Sequence, residues 1–231
     1  QTMKGRLIGV SVGPGDPELL TLKTLRYIKE NNVIAIPSKN ITESVAYKIV
    51  KGAYPELDEK NLLAVDMPMI KDKELLKESH DRAAALIEGY LDQGENVVFL
   101  TLGDATVYST YIYVHKRVIR DGYEAEIVSG VTSFCASAAR LGTSLAENRQ
   151  PVHIIPATYK AESMGELLSL DGTKVLMKSG KRMAEVKKAI KESGSSAMMI
   201  ENCGMPDERV YLSTDEIPDD AGYYSLIIIK E

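Results

Sequence analysis

Apolar residues fall into short dense runs along the chain, separated by stretches in which they recur at helical spacing. The run Arg6-Leu7-Ile8-Gly9-Val10-Ser11-Val12 stops at Gly13-Pro14-Gly15-Asp16-Pro17, as a buried parallel strand entering a tight loop does. Beyond Pro17, Leu19, Leu22, Leu25 and Ile28 recur at every third position. That spacing predicts a helix buried along these residues, and proline suits its start because the missing N–H would have no partner there. Residues 33–36 predict a second strand, 44–50 a short helix and 62–65 a third strand. A long amphipathic stretch follows, with Leu75, Leu76, Ala83, Leu86, Ile87, Tyr90 and Leu91 on one face and Gly94 just past its end. Residues 97–102 predict a fourth strand running into Gly103-Asp104, and a helix from about 109 to 120 leads to a fifth strand at 125–128. Strands separated by helices imply parallel β/α crossovers.

After a helix at 132–141, which Gly142 would end, residues 143–151 lose periodicity and gather Asn148, Arg149, Gln150 and Pro151. The expected domain boundary lies there, giving an N-terminal parallel α/β domain over 1–147 and a C-terminal mixed α/β domain over 148–231. The second half offers strands at 152–155, 174–177, 197–200, 210–212 and 225–229, with helices near 163–168 and 181–192. Its last two strands lack a helix between them, so the second sheet is expected to be mixed. The fold class is α/β, with two unlike domains.

Composition narrows the function. Apolar residues make up 44% and charged residues 26%, as in ordinary globular proteins. No apolar run approaches the roughly 18 residues of a membrane span, and no leader pattern precedes the first strand; Met3 reads as the natural start, and the chain as cytoplasmic with no membrane partner. Cys135 and Cys203 form no C-x-x-C pair and are expected as buried small hydrophobes. His80, His115 and His153 show no metal-ligand spacing. The net charge of −5 and the lack of a basic block argue against nucleic acid.

Three loops carry candidate chemistry. Gly13-Pro14-Gly15-Asp16-Pro17 has Glu18 where a dinucleotide fingerprint needs glycine, and no G-K-[ST] follows. It supplies a stiff turn in which two positions lack Cβ, so a ligand can approach the backbone. Leu102-Gly103-Asp104-Ala105-Thr106-Val107-Tyr108-Ser109-Thr110 also follows a strand. Asp104 can accept from an amino or ribose hydroxyl group, or cap the following helix. Ser129-Gly130-Val131-Thr132-Ser133 opens a helix of small residues. By themselves these loops predict a ligand cleft at the strand ends.

Val10 to Lys23 resembles the opening signature of the tetrapyrrole methylases, V-G-x-G-P-G-D-P-x-L-L-T-x-K/R, with Ser11 in place of its first glycine. The second and third loops resemble the family's next two signatures in order and separation, with Ala105 in place of the usual proline and Ser129 in place of the proline common before Gly130. Gly103 to Tyr111, Thr132 to Ala136, Leu176-Met177-Lys178 and Tyr224 to Ile228 resemble the branch that methylates the meso carbon 20 of precorrin-2 or cobalt-factor II. An acidic residue that follows the second strand in the uroporphyrinogen III branch is absent; Pro37-Ser38-Lys39 stands there.

The resemblance implies a homodimeric S-adenosylmethionine-dependent methyltransferase with the cofactor between two unlike α/β domains and a tetrapyrrole substrate. It implies that Pro14 lies near the cofactor, that Leu102, Gly103, Asp104 and Val107 hold its methionine portion, that Thr132 and Ser133 line the same pocket, and that Met177 and Lys178 approach the adenosine. Tyr108, Ser109, Thr110, Tyr111, Phe134 and Cys135 would shape the acceptor pocket, and Lys39, Arg140, Arg149, Lys178, Lys181 and Arg182 are candidates for the substrate's carboxylates. No catalytic base is identified. Another methyltransferase on this fold, such as a diphthine synthase, and a non-catalytic cofactor- or tetrapyrrole-binding regulator remain as alternatives.

Overall fold

The computed structural model describes residues 3–156, 163–178 and 182–231, and the chain divides into two compact units, Gln1–Thr132 and Ser133–Glu231. Among the described residues no helix is long and apolar enough to cross a membrane.

The first unit is built on strands β1 (Leu7–Ser11), β2 (Val33–Ile36), β3 (Asn61–Ala64), β4 (Val97–Thr101) and β5 (Ala125–Val128). They lie in the order β3-β2-β4-β1-β5, parallel throughout. Every residue of β1, β2 and β4 is buried, because helices cover both faces of the sheet. Ile8, Val10, Ile34, Val98 and Leu100 pack with Tyr27 and Ile28 of α1 (Leu22–Glu30) and Ala46, Ile49 and Val50 of α2 (Val45–Ala53). The alternate positions Leu7, Val33, Ala35, Val97 and Phe99 pack with Ala83, Ile87 and Leu91 of α3 (Lys73–Asp92) and Tyr111, Val114 and Val118 of α4 (Tyr111–Arg120). The period of two along each strand thus divides its residues between two helical layers.

Two helical faces differ from the expectation. Leu22 is 87% exposed, and α1 buries Thr24 and Tyr27 beside the expected Ile28. Three residues turn a helix by about 300°, so an every-third row winds around it and only part can face the sheet. In α3, Leu75 and Leu86 are exposed while Ser79, His80 and Ala84 are buried. This helix packs against α4 as well as the sheet: His80 stacks on Tyr113, with ring centroids 4.6 Å apart and planes inclined by 7°.

The second unit orders its strands β6 (Val152–Pro156), β7 (Thr173–Met177), β8 (Ser196–Glu201), β9 (Arg209–Tyr211) and β10 (Ser225–Lys230) as β6-β7-β10-β8-β9. Only β6 and β7 pair in parallel, so the sheet is mixed. One core joins Leu176, Ala197, Met199, Ile227 and Ile229 to α6 (Met164–Leu168) and α7 (Met183–Glu192). Another joins Val175, Ile200, Leu226 and Ile228 to α5 (Ser133–Leu141).

The division into units falls before α5, whereas the sequence pattern places a boundary after residue 147. The reason is packing, since α5 sets Phe134, Ala138 and Leu141 against the second sheet. The irregular segment that follows is tied there too, Thr173 Oγ1 donating to the carbonyl of Leu145 at 2.5 Å. The expectation of buried cysteines is corrected: Cys135 is exposed and Cys203 half-buried. The buried arc of α5 carries Ala136, Ser137 and Ala138, which leaves position 135 outside it.

In the first unit α4 packs closely on β1. A Cβ on Gly9 would lie 2.1 Å from Cζ of Tyr111. That ring is fully buried, its hydroxyl donating to the carbonyl of Glu126 at 3.1 Å and lying 2.9 Å from Nδ1 of His115, and burial pushes the phenol above its usual range. Gly9→Ala is therefore expected to destabilise the protein by about 1–3 kcal/mol through overpacking. Denaturant unfolding reads it, and an unchanged midpoint would show that Tyr111 has room to move.

Candidate functional site

The connection from β1 leaves toward β2 and that from β4 toward β5, on opposite sides of the adjacent β1–β4 pair. In open α/β sheets this reversal leaves a crevice beyond the carboxyl ends of the strands. The loops that leave β1 and β4 meet through their backbones. Gly13 N donates to Gly103 O at 3.2 Å, and Gly103 N donates to Gly13 O at 2.7 Å. Both glycines have positive φ, 78° and 68°, where a side chain is strained. A Cβ on Gly103 would meet nothing within 4 Å; the joined loops therefore present bare backbone to open space.

Side chains tie these loops to the one after β5. Ser11 is fully buried; its hydroxyl donates to the carbonyl of Val128 at 2.7 Å and accepts from Ala105 N at 2.9 Å. Its own carbonyl accepts from Thr24 Oγ1 at 3.0 Å. Gly130 makes room for it, since a Cβ there would lie 2.4 Å from that of Ser11. Asp104 is 6% exposed. Its Oδ1 accepts from Thr106 N at 2.8 Å and Thr106 Oγ1 at 2.5 Å, and its Oδ2 from Gly130 N at 2.9 Å and Ser129 Oγ at 3.1 Å. Burial alone would raise this carboxyl, but the donors, the Gly130 amide foremost, outweigh it and hold it below the usual carboxylate range.

A carboxylate offers about four acceptor positions, and the chain fills them. Asp104 thus clasps two loops together, and it does not cap α4: Thr110 stands at that N-cap without a side-chain cap bond, while Ser109 Oγ accepts from Tyr111 N at 3.1 Å.

The other residues singled out in the sequence are placed as follows. Pro14 is buried beside Gly13, Leu102 packs on the first core, and Val107 N donates to the carbonyl of Asp104 at 3.1 Å. Tyr108 holds a φ of 49°, seldom adopted by a bulky residue, and the residue is 52% exposed. Tyr111 is withdrawn from any acceptor pocket because its ring is spent against Gly9. Thr132 and Ser133 are half-buried at the start of α5.

In the second unit, Met177 ends β7 and Lys178 follows with a φ of 57°. Lys178 Nζ lies 5.7 Å from the ring centroid of Tyr223, which meets Tyr224 edge-on with centroids 5.2 Å apart. Among the candidate cations, Lys39, Arg149 and Arg182 are exposed, and Arg140 Nε is engaged by Glu208 at 2.5 Å; Lys181 lies outside the described residues. Sequence reasoning missed the role of Ser11, whose signal was its departure from the signature glycine, and the aromatic pair beside Lys178.

Asp104 gives the site a pH signature. Its folded pKa lies below the unfolded value near 3.8, so its stabilisation is complete above that value and is lost as pH falls through the folded pKa. Asp104→Asn should be less stable than wild type at neutral pH, and the gap should narrow below about pH 4. Urea unfolding across this range checks it; a gap independent of pH would deny the carboxylate its charge-dependent role.

Residues 6–217 match the family described as Tetrapyrrole (Corrin/Porphyrin) Methylases. The chain is 36% identical to a "Probable cobalt-precorrin-2 C(20)-methyltransferase" of Methanocaldococcus jannaschii, over 97% of this chain and 96% of that protein. It is 31% identical to the "Cobalt-precorrin-2 C(20)-methyltransferase" of Salmonella typhimurium, over 99% and 98%. In fold it is similar to a uroporphyrin-III C-methyltransferase of Thermus thermophilus complexed with S-adenosylhomocysteine, with a TM-score of 0.71, 23% identity and 98% of both chains covered. Family pattern, full-length relatives and fold agree: the chain belongs to the tetrapyrrole methylases.

Proposed function

We propose that this chain transfers the methyl group of S-adenosylmethionine to the meso carbon 20 of precorrin-2 or its cobalt-bearing counterpart, in cobalamin biosynthesis. The observation that carries this reading is likeness along the whole chain to relatives named for that reaction. The branch-like residues Gly103 to Tyr111 and Thr132 to Ala136 support it. The family resemblance also supports a homodimer.

The first unit's strand ends fit the cofactor on two counts. Gly103 leaves open the space a Cβ would fill, and Thr101 Oγ1, buried at the end of β4, has no hydrogen-bond partner among the described residues. Pro14, Leu102, Gly103, Asp104 and Val107 would hold the methionine portion, Asp104 by fixing the loop while its carboxylate is occupied within the chain. Thr132 and Ser133 would line the same pocket, and Met177 and Lys178 would approach the adenosine. When bound, the cofactor supplies a sulfonium methyl group whose displacement forms the new C–C bond as the C–S electron pair stays on sulfur.

The work left to the protein is positioning. Holding reacting atoms in near-attack geometry can contribute about 7–11 kcal/mol, and the clasped loops are suited to it because Ser11 and Asp104 leave their backbones little freedom. Tyr108 and Cys135, both exposed, would shape the acceptor side. Lys39, Arg149, Lys178 and Arg182 are the described cations that would meet the macrocycle's carboxylates.

The test is incubation with S-adenosylmethionine carrying a carbon-13 methyl group, with precorrin-2 and cobalt-factor II in separate reactions and the product read by NMR. One labelled methyl group at carbon 20 is expected from at least one of them. A label on a pyrrole-ring carbon, methylation of uroporphyrinogen III, or no transfer to either macrocycle would overturn the assignment.

A further inference from the structure

We propose that Ser11 is a positioning residue, a buried polar staple that does for the loop after β4 what proline does in the signature the chain otherwise resembles. Ala105 is fully buried, and a buried backbone N–H needs an acceptor. Proline at this position would carry no N–H and would fix φ by itself. With alanine there, acceptor and restraint must come from elsewhere, and Ser11 supplies both. Its oxygen accepts from Ala105 N at 2.9 Å, while its proton goes to the carbonyl of Val128 at 2.7 Å. One hydroxyl thereby spans the ends of β1, β4 and β5, and glycine at 11 would offer neither bond.

The three departures from the signatures meet in one constellation. Ser11 bonds Ala105, and Ser129 donates to Oδ2 of Asp104 at 3.1 Å. Asp104 lies between Ala105 and Gly103, the residue that pairs with Gly13. Gly130, which follows Ser129, leaves the space that the Ser11 side chain occupies. Independent surface changes would not share hydrogen bonds. Loss of the staple should therefore loosen residues 103–106 and reach the proposed cofactor site through Gly103.

The experiment is a double-mutant cycle in the full chain with Ser11→Gly, Ala105→Pro and both together. S-adenosylhomocysteine affinity is read by calorimetry, melting temperature by circular dichroism, and macrocycle KM and kcat by turnover. Ser11→Gly orphans the Ala105 N–H and should weaken S-adenosylhomocysteine about tenfold, while macrocycle KM moves less than about twofold. Adding Ala105→Pro removes the orphan and should restore affinity to within about threefold and raise the melting temperature. In the Ser11 background the same proline should weaken both.

Equal effects of Ala105→Pro in the two backgrounds, or unchanged affinity in folded Ser11→Gly, would overturn the proposal. Should Ser11→Gly fail to fold, the double variant must fold, and failure of both overturns it as well. The functional part rests on the proposed cofactor. Wild-type protein that does not bind S-adenosylhomocysteine would undo that reading, and the staple would still be decided by the melting-temperature cycle.

Discussion

Two reciprocal backbone hydrogen bonds between Gly13 and Gly103 join the loop leaving β1 to the loop leaving β4. The bonds require both chains to turn sharply at the same level, and both residues sit at positive φ. Side chains there would be strained, and at Gly103 one would enter space in which no atom lies within 4 Å. The parallel sheet brings the loops within reach, because β1 and β4 pair along their full length, Leu7 with Val97 through Ser11 with Thr101. Two helical layers over that sheet exclude water from its faces, leaving the strand ends as the place where backbone meets solvent.

The joined loops would be floppy without a polar core beneath them. Ser11 and Asp104 form that core, and its members are buried and bonded within the chain. Such a network is unforgiving: a buried donor or acceptor that loses its partner costs about 1–3 kcal/mol, more than most hydrogen bonds contribute net. That asymmetry explains how polar groups can fix loop geometry as firmly as ring constraints. It also fixes the role of Asp104, whose carboxylate is occupied by Thr106, Ser129 and Gly130 and acts on the loops.

The central strands β1, β2 and β4 were legible because they are largely apolar on both faces, a signal that needs no knowledge of partners, and Gly13, Gly103 and Gly130 marked the loops by composition. Helical faces were harder. Leu22 and Leu86 are apolar yet exposed, while Thr24 and Ser79 are polar yet buried, because a helix packed on both a sheet and a neighbour buries an arc that apolar spacing does not define. The unit boundary was displaced for a related reason: loss of periodicity marks a loop, but the packing of Phe134 and Ala138 decides to which core α5 belongs. At the site, sequence showed that Asp104 and Ser11 were unusual and left their partners open. Hydrogen bonds such as that from Ser11 to Val128 join residues far apart in the chain, and only the folded sheet brings them together.

The claim on which this account turns is that the bare backbone at Gly103 is where the cofactor lies, and two alanine substitutions test it against each other. Gly103 and Gly122 both hold positive φ, 68° and 89°, and at neither would a Cβ meet an atom within 4 Å. Gly122 follows α4 and precedes β5, at the opposite ends of the strands. Both variants pay a similar left-handed penalty of about 1–2 kcal/mol, so stability alone does not distinguish them. Calorimetric titration with S-adenosylhomocysteine does: Gly103→Ala should weaken binding at least about tenfold while Gly122→Ala binds as wild type, whereas wild-type affinity in a folded Gly103→Ala protein would contradict the account.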